Sequence, residues 1–236
     1  MYSLNVLRAN MDKTYEQKQK HVYPPKLREE RRRARKILQQ LKKWKPDAKI
    51  VLRYDNNIQL LVAVMLSAQC TDKKVNEVTG KLFKKYKTLE DFAKADLKTF
   101  EQEIRSTGFY HNKAKNIMAA AKMILDKFGG KMPKTMDEMI ELPGVARKTA
   151  NVVLGNAYGV VEGIAVDTHV RRVSRHLGLT NEQNPDKIEQ DLMRLFDKKD
   201  WFKLTYLFIE YGRNVHTAKK PLPCSRGPLK GLCPKD

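Results

Sequence analysis

A chain of 236 residues with 41% hydrophobic and 8% aromatic residues is long enough for one large domain or two small ones, with a buried core. Its formal net charge of +20 suggests a polyanionic partner, most simply nucleic acid, over the plainer alternative of a merely soluble basic surface. The longest apolar run, "LLVAVML", falls far short of the roughly 18 residues of a membrane span, there is no apolar signal core at the N-terminus, and Cys70, Cys224 and Cys233 make no disulfide framework. An intracellular protein in a reducing compartment is therefore expected, with no membrane partner.

Residues 1–28 read as a basic N-terminal tail, polar and aperiodic, with Pro24 and Pro25 separating it from the next segment. Residues 1–48 hold 14 Lys and Arg against 5 Asp and Glu, so nearly half of the excess charge sits there. The run "REERRRARKILQQLKKW" predicts a helix, with Ala34, Ile37, Leu38, Leu41 and Trp44 at helical spacing and Pro46 to stop it. Its arginines form a solvated face or touch phosphates, and the sequence leaves both open. Helices are then predicted over 57–69, 72–86, 89–95, 97–106, 111–128, 136–142, 146–158, 168–177, 185–196 and 200–215. Thr135 with Glu138 suggests a capping box, Asn184-Pro185 starts another helix, and Gly108, Gly129, Gly159 and Gly178 stand where helices should end. The only β-like run, "EGIAV", is too short to pair alone, and no solenoid repeat is present. The expected fold class is all-α.

The segment "TMDEMIELPGVARKTANVVLGNA" reads as a helix, a tight turn at Pro143-Gly144 and a second helix. Such a turn exposes backbone N–H groups at the start of the second helix, where they and the helix dipole suit a phosphate. An ordinary connection between two helices would look the same. Lys148 comes at once after it, the only charged residue between Arg147 and Glu162. A lysine against an apolar wall sheds its proton readily, and a neutral amine forms Schiff bases with carbonyls. Nineteen residues on, Asp167 precedes another predicted helix. It suits an N-cap, and capping would hold its carboxylate in place for catalysis.

Together, "LVAVMLSAQCTD", "GFYHNKAKNI", "LPGVARKTANVVL" and "IAVDTHVRRV", in that order, resemble the endonuclease III family, helix-hairpin-helix DNA glycosylases with an added lyase activity. The likeness covers about residues 30–236. It implies two α-helical domains with a DNA-binding cleft between them: 50–161 as a six-helix domain with the hairpin, and 29–49 packing with 162–236. It implies excision of damaged, oxidised pyrimidines from double-stranded DNA in base excision repair, the base being flipped out of the duplex at a cost of a few kcal/mol. The resemblance also implies a monomer in the cytoplasm, associated with the nucleoid.

By the same likeness Lys148 attacks C1′ of the sugar, forming a Schiff base that leads to β-elimination, and Asp167 assists departure of the base. A carboxylate there would stabilise the positive charge that builds on the sugar. Gln69 aligns with the residue that enters the gap left by the flipped base. Phe109 aligns with the wedge that parts the opposite strand, where the family more often has leucine; read alone, it could be plain core. Tyr110, His111, Gly144, Ala146, Arg147, Thr149 and His169 align with further DNA-binding positions.

The chain departs from the family twice. The second hairpin glycine is replaced by Ala146, which is expected at or inside the first helical turn. Many relatives hold a [4Fe–4S] cluster on Cys-x6-Cys-x2-Cys-x5-Cys. Matched to "VHTAKKPLPCSRGPLKGLCPKD", that pattern puts His216 and Gly227 at the first and third positions and leaves only Cys224 and Cys233. Cubane clusters want four good ligands, so no iron–sulfur cluster and no metal are expected. The two cysteines should then be free thiols, or at most a disulfide formed in air, with Leu222, Leu229 and Leu232 packing the segment. Two other functions stay open: a mismatch-specific glycosylase without lyase activity, which would lack a lysine at Lys148, and a non-catalytic helix-hairpin-helix DNA-binding protein, which would need no Lys148–Asp167 pair.

Overall fold

The computed structural model describes residues 23–220, 222 and 226–234. Among them are α-helices α1 (Pro25–Trp44), α2 (Asn57–Leu66), α3 (Asp72–Lys85), α4 (Leu89–Ala93), α5 (Leu97–Ile104), α6 (Tyr110–Phe128), α7 (Met136–Glu141), α8 (Arg147–Tyr158), α9 (Thr168–His176), α10 (Pro185–Leu195) and α11 (Lys198–Asn214). One 3-10 turn, Arg105–Thr107, comes after α5, and no strand occurs among the described residues. The expected all-α class is what the chain adopts.

Local chemistry explains most of the helix starts. Asn56, Thr71, Thr88, Asp96, Thr135 and Asn184 each accept a hydrogen bond from a backbone N–H of the first turn, satisfying donors that a helix start leaves orphaned. The reciprocal capping box stands at Thr88 and Asp91 rather than at Thr135, because the Glu138 carboxylate takes the N–H of Lys134 instead. Pro25 is the first residue of α1 rather than part of a separating loop, since proline's missing N–H costs nothing at a helix start. The expected tail therefore ends earlier than residue 28, and its remainder, 1–22, lies outside the described residues.

The chain divides into two compact units. One takes in Ala48–Asp167 and Trp201–Tyr206, and the other Met1–Asp47, Thr168–Asp200 and Leu207–Asp236. These bounds differ from the expected domains at 48–49, 162–167 and 201–206. The last stretch belongs with Ala48–Asp167 because the middle of α11 is seated there. Gly155 lets the Phe202 ring approach to within 2.5 Å of where a Cβ would be. Tyr206 Oη meets Asn156 Nδ2 at 2.6 Å, and Lys203 Nζ donates to Ala48 O at 2.6 Å.

In the Ala48–Asp167 unit the centre is α2, buried at every position from Ile58 to Leu66, as expected of a helix apolar on all sides. Tyr86, Phe92 and Phe100 make an aromatic cluster, with ring centroids 5.2 to 6.1 Å apart. The long helix α6 packs on α4 and α5, and it buries Ala114, Ile117, Ala121 and Ile124. Each fully buried aliphatic side chain contributes about 1.5–3 kcal/mol.

In the other unit α1 buries Ala34, Ile37, Leu38 and Leu41, and α9 and α10 bury Val170, Val173, Ile188 and Leu192. The arginine run of α1 is not simply a solvated or phosphate-facing edge. Arg31 is buried and meets Asp197 at 2.5 Å, and Arg33 donates to the carbonyls of Leu177, Gly178 and Leu232. Burial pulls the Arg33 guanidinium below its ordinary range, offset in part by Glu30. Those two positive charges are spent inside the unit.

Candidate functional site

The hairpin forms as a tight turn in which Val145 N donates to Leu142 O at 3.0 Å. Pro143 is its second residue and Gly144, at φ +77°, its third, the pairing a type II turn requires. A Cβ on Gly144 would lie 2.8 Å from Asn116 of α6, so glycine is needed for room as well as for φ. Ala146 stands at the first helical turn and not inside it, as the N-cap of α8 in extended conformation, φ −90° and ψ 168°. Any residue adopts those angles, which is why the turn survives without a second glycine. No side chain caps the start of α8. Gly144, Ala146 and Arg147 are exposed, Lys148 and Thr149 half-buried, and Arg147 Nη2 lies 3.5 Å from Glu162 O. Lys148 is thus the second residue of a helix whose dipole is positive at that end. Asp167, half-buried, belongs to the same unit and immediately precedes α9.

Two non-glycine residues among those described have positive φ, Gln69 at +53° and Phe109 at +49°. The left-handed region costs such residues about 1 kcal/mol or more each. Helix α2 stops at Leu66, not 69, because Gln69 has left helical geometry. Gln69 is exposed, and Phe109 is 63% exposed, which removes the reading of Phe109 as core. Tyr110 and His111 come next at the start of α6 with tilted rings 4.1 Å apart, and His111 Nδ1 meets Glu101 at 2.9 Å. Sequence reasoning missed Lys113. It is buried, and Nζ donates to Leu66 O and to Thr107 O, both at 2.8 Å. Burial pushes this ammonium below the usual lysine range, and Cys70 partly counters it. The available signal was its place, with Ala114, Ile117, Ala121 and Ile124, on the apolar face of α6.

A family model for HhH-GPD superfamily base excision DNA repair proteins matches residues 62–198. Endonuclease III of Synechocystis sp. is 48% identical over 209 residues, covering 89% of this chain and 95% of the relative. A solved structure described as a non-covalent endonuclease III–DNA complex is 44% identical, with a TM-score of 0.82 over 87% of this chain and 95% of the other. A second, described as a trapped endonuclease III–DNA covalent intermediate, is also 44% identical, with a TM-score of 0.82 over 87% and 96%.

The chain belongs to the endonuclease III family. It is accordingly a base excision repair enzyme of glycosylase and lyase type.

Of the four thiolates that an iron–sulfur cluster of this family would take, the sequence offers only Cys224 and Cys233. Cys233 is disulfide-bonded, the second of the two states expected for it, Cys224 lies outside the described residues, and Gly227 has no side chain. Strict spacing back from Cys224 arrives at Thr217 rather than His216, and the Thr217 hydroxyl closes a turn with Lys220. The His216 ring stacks on His176 at 3.7 Å, and burial, with His176 and Arg172 nearby, lowers it to about 4. Among the described residues no group of three or more His, Cys, Asp or Glu could hold a metal ion. Of the leucines expected to pack this segment, Leu229 is fully buried but Leu222 is 44% exposed. In the same unit, His169 Nδ1 lies 3.1 Å from Arg172, which also donates to Gly212 O and His216 O.

Proposed function

We propose that this protein excises oxidised pyrimidines from double-stranded DNA and cleaves the resulting site through Lys148. The observation that carries the reading is a half-buried lysine on the second residue of a helix launched from a Pro-Gly turn, in one compact unit with Asp167. The Lys148 amine adds to C1′ as the base leaves with its electron pair and a proton. The ring then opens to a Schiff base, and loss of a C2′ proton expels the 3′ phosphate. Asp167 offsets the positive charge on the sugar as the base departs. Gly144, Ala146, Arg147 and Thr149 present the helix start to a DNA phosphate. Gln69 enters the vacated gap, Phe109 wedges the opposite strand, and Tyr110, His111 and His169 are further DNA contacts. The protein works as a monomer in the cytoplasm, at the nucleoid; no helix among the described residues is long and apolar enough to cross a membrane.

Borohydride reduction on a duplex with one abasic site tests this reading. Wild type should form a covalent protein–DNA adduct and Lys148→Gln none. Absence of the adduct with active wild type would leave a monofunctional glycosylase, and absence of any damage-dependent activity would leave a binding module. The activity needs no iron–sulfur cluster: the ligands are too few, so purified protein should be colourless and unaffected by iron chelation. Stoichiometric iron and labile sulfide after anaerobic purification would refute that.

A further inference from the structure

Gln69 and Phe109 are 40 residues apart in sequence, yet each stands just beyond a helical segment whose last carbonyl is unusual. Leu66 O ends α2, three residues before Gln69. Thr107 O ends the 3-10 turn, two residues before Phe109. Terminal helical carbonyls have no partner within their own helix and attract cations. Here one buried ammonium serves both, at 2.8 Å each. Lysine is almost never fully buried without such partners, because desolvating its charge is costly. Here that cost is offset by two charge-assisted hydrogen bonds, which join two loops that nothing in their own sequences would hold together.

We infer that Lys113 is a positioning residue, a clamp that holds the Gln69 loop and the Phe109 loop at a set separation so that both enter DNA together. This rests on the reading of those two residues as DNA-inserting. The left-handed angles at Gln69 and Phe109 need such a support, since strained backbone persists only where its surroundings over-determine it. Side chains nearby do not replace it. Ser67 Oγ donates to Val64 O within its own turn, and Thr107 Oγ1 to Ile104 O within its own. Lys113 bridges the two, and it springs from α6, the helix that begins just after Phe109.

The test compares Lys113→Met with wild type in two measurements. The first is amide hydrogen exchange in DNA-free protein. Peptides covering 66–70 and 106–110 should both exchange at least about tenfold faster, while the Leu142–Lys148 hairpin stays protected. The second is the ratio of affinities for a duplex with a tetrahydrofuran abasic analogue and for the same duplex undamaged. That ratio should fall about tenfold in Lys113→Met, and Lys113→Gln, which can reach one carbonyl, should lie between. In a Gln69→Ala, Phe109→Ala background Lys113→Met should change the ratio no further, an outcome a merely structural lysine would not give. If Lys113→Met does not fold, the graded loss in Lys113→Gln carries the test. A wild-type preference for the abasic duplex that both variants retain overturns the clamp alone. A wild type with no such preference defeats the functional reading of the loops, and the clamp's role in recognition with it.

Discussion

The hairpin and the paired loops solve the same backbone problem in opposite ways. All three turns use positive φ, but the hairpin assigns it to Gly144, whereas the loops assign it to Gln69 and Phe109. Glycine adopts that conformation at no steric cost, and Gly144 is also packed against Asn116. Its conformation is therefore architecture: it launches α8 and places Lys148. Gln69 and Phe109 accept strain while exposed to solvent, Phe109 with 63% of its surface open. Strain held at an exposed side chain is what recognition would require and stability would not. In the proposed function the hairpin is the chemical end and the two strained loops are the recognition end.

The sharpest separation comes from Lys148→Gln. Strand cleavage should drop by on the order of 10³-fold or more, with affinity for abasic duplex nearly unchanged, measured by gel cleavage and fluorescence anisotropy. Strand cleavage at the wild-type rate would break the assignment of chemistry to the hairpin. Asp167→Asn comes next. Base release should slow on the order of 10²-fold, far more than cleavage of a pre-formed abasic site. Both steps falling together with thermal stability would mean that Asp167 only holds the start of α9.

Stability sharpens the contrast further, because the two regions should respond with opposite signs. Gly144→Ala should destabilise by about 2–3 kcal/mol in urea unfolding, from the left-handed φ and the collision with Asn116. Phe109→Asn should be neutral or stabilise by up to about 1 kcal/mol, since asparagine tolerates that conformation and little buried surface is lost. The same Phe109→Asn protein should discriminate abasic from intact duplex less well. Equal destabilisation by both substitutions would erase the distinction between architecture and recognition.

Features made by neighbours in sequence were legible without coordinates. Asn184 before Pro185 marked a helix start, Gly129 and Gly159 marked helix ends, and Pro143-Gly144 marked the turn. Misjudged details had competing local partners. Glu138 had two N–H groups within reach and took that of Lys134. The arginines of α1 looked like solvent-facing or phosphate-facing charge because their acceptors lie far along the chain, Asp197 for Arg31 and Leu177 for Arg33. In the C-terminal segment the count of cysteines was readable, but the His176–His216 stack was not.

The amino-acid sequence by itself determined the helical build, the hairpin and the place of Lys148 and Asp167 at helix starts, because capping, turn chemistry and 3.6-residue periodicity act over a few residues. Tertiary structure alone decided that Gln69 and Phe109 are left-handed, and that Lys113 points inward to join their loops. The acceptor at Leu66 is 47 residues away from that lysine, and no local rule registers a carbonyl supplied from such a distance. A buried ammonium goes where its hydrogen bonds are satisfied, and only the packed chain sets where those acceptors stand.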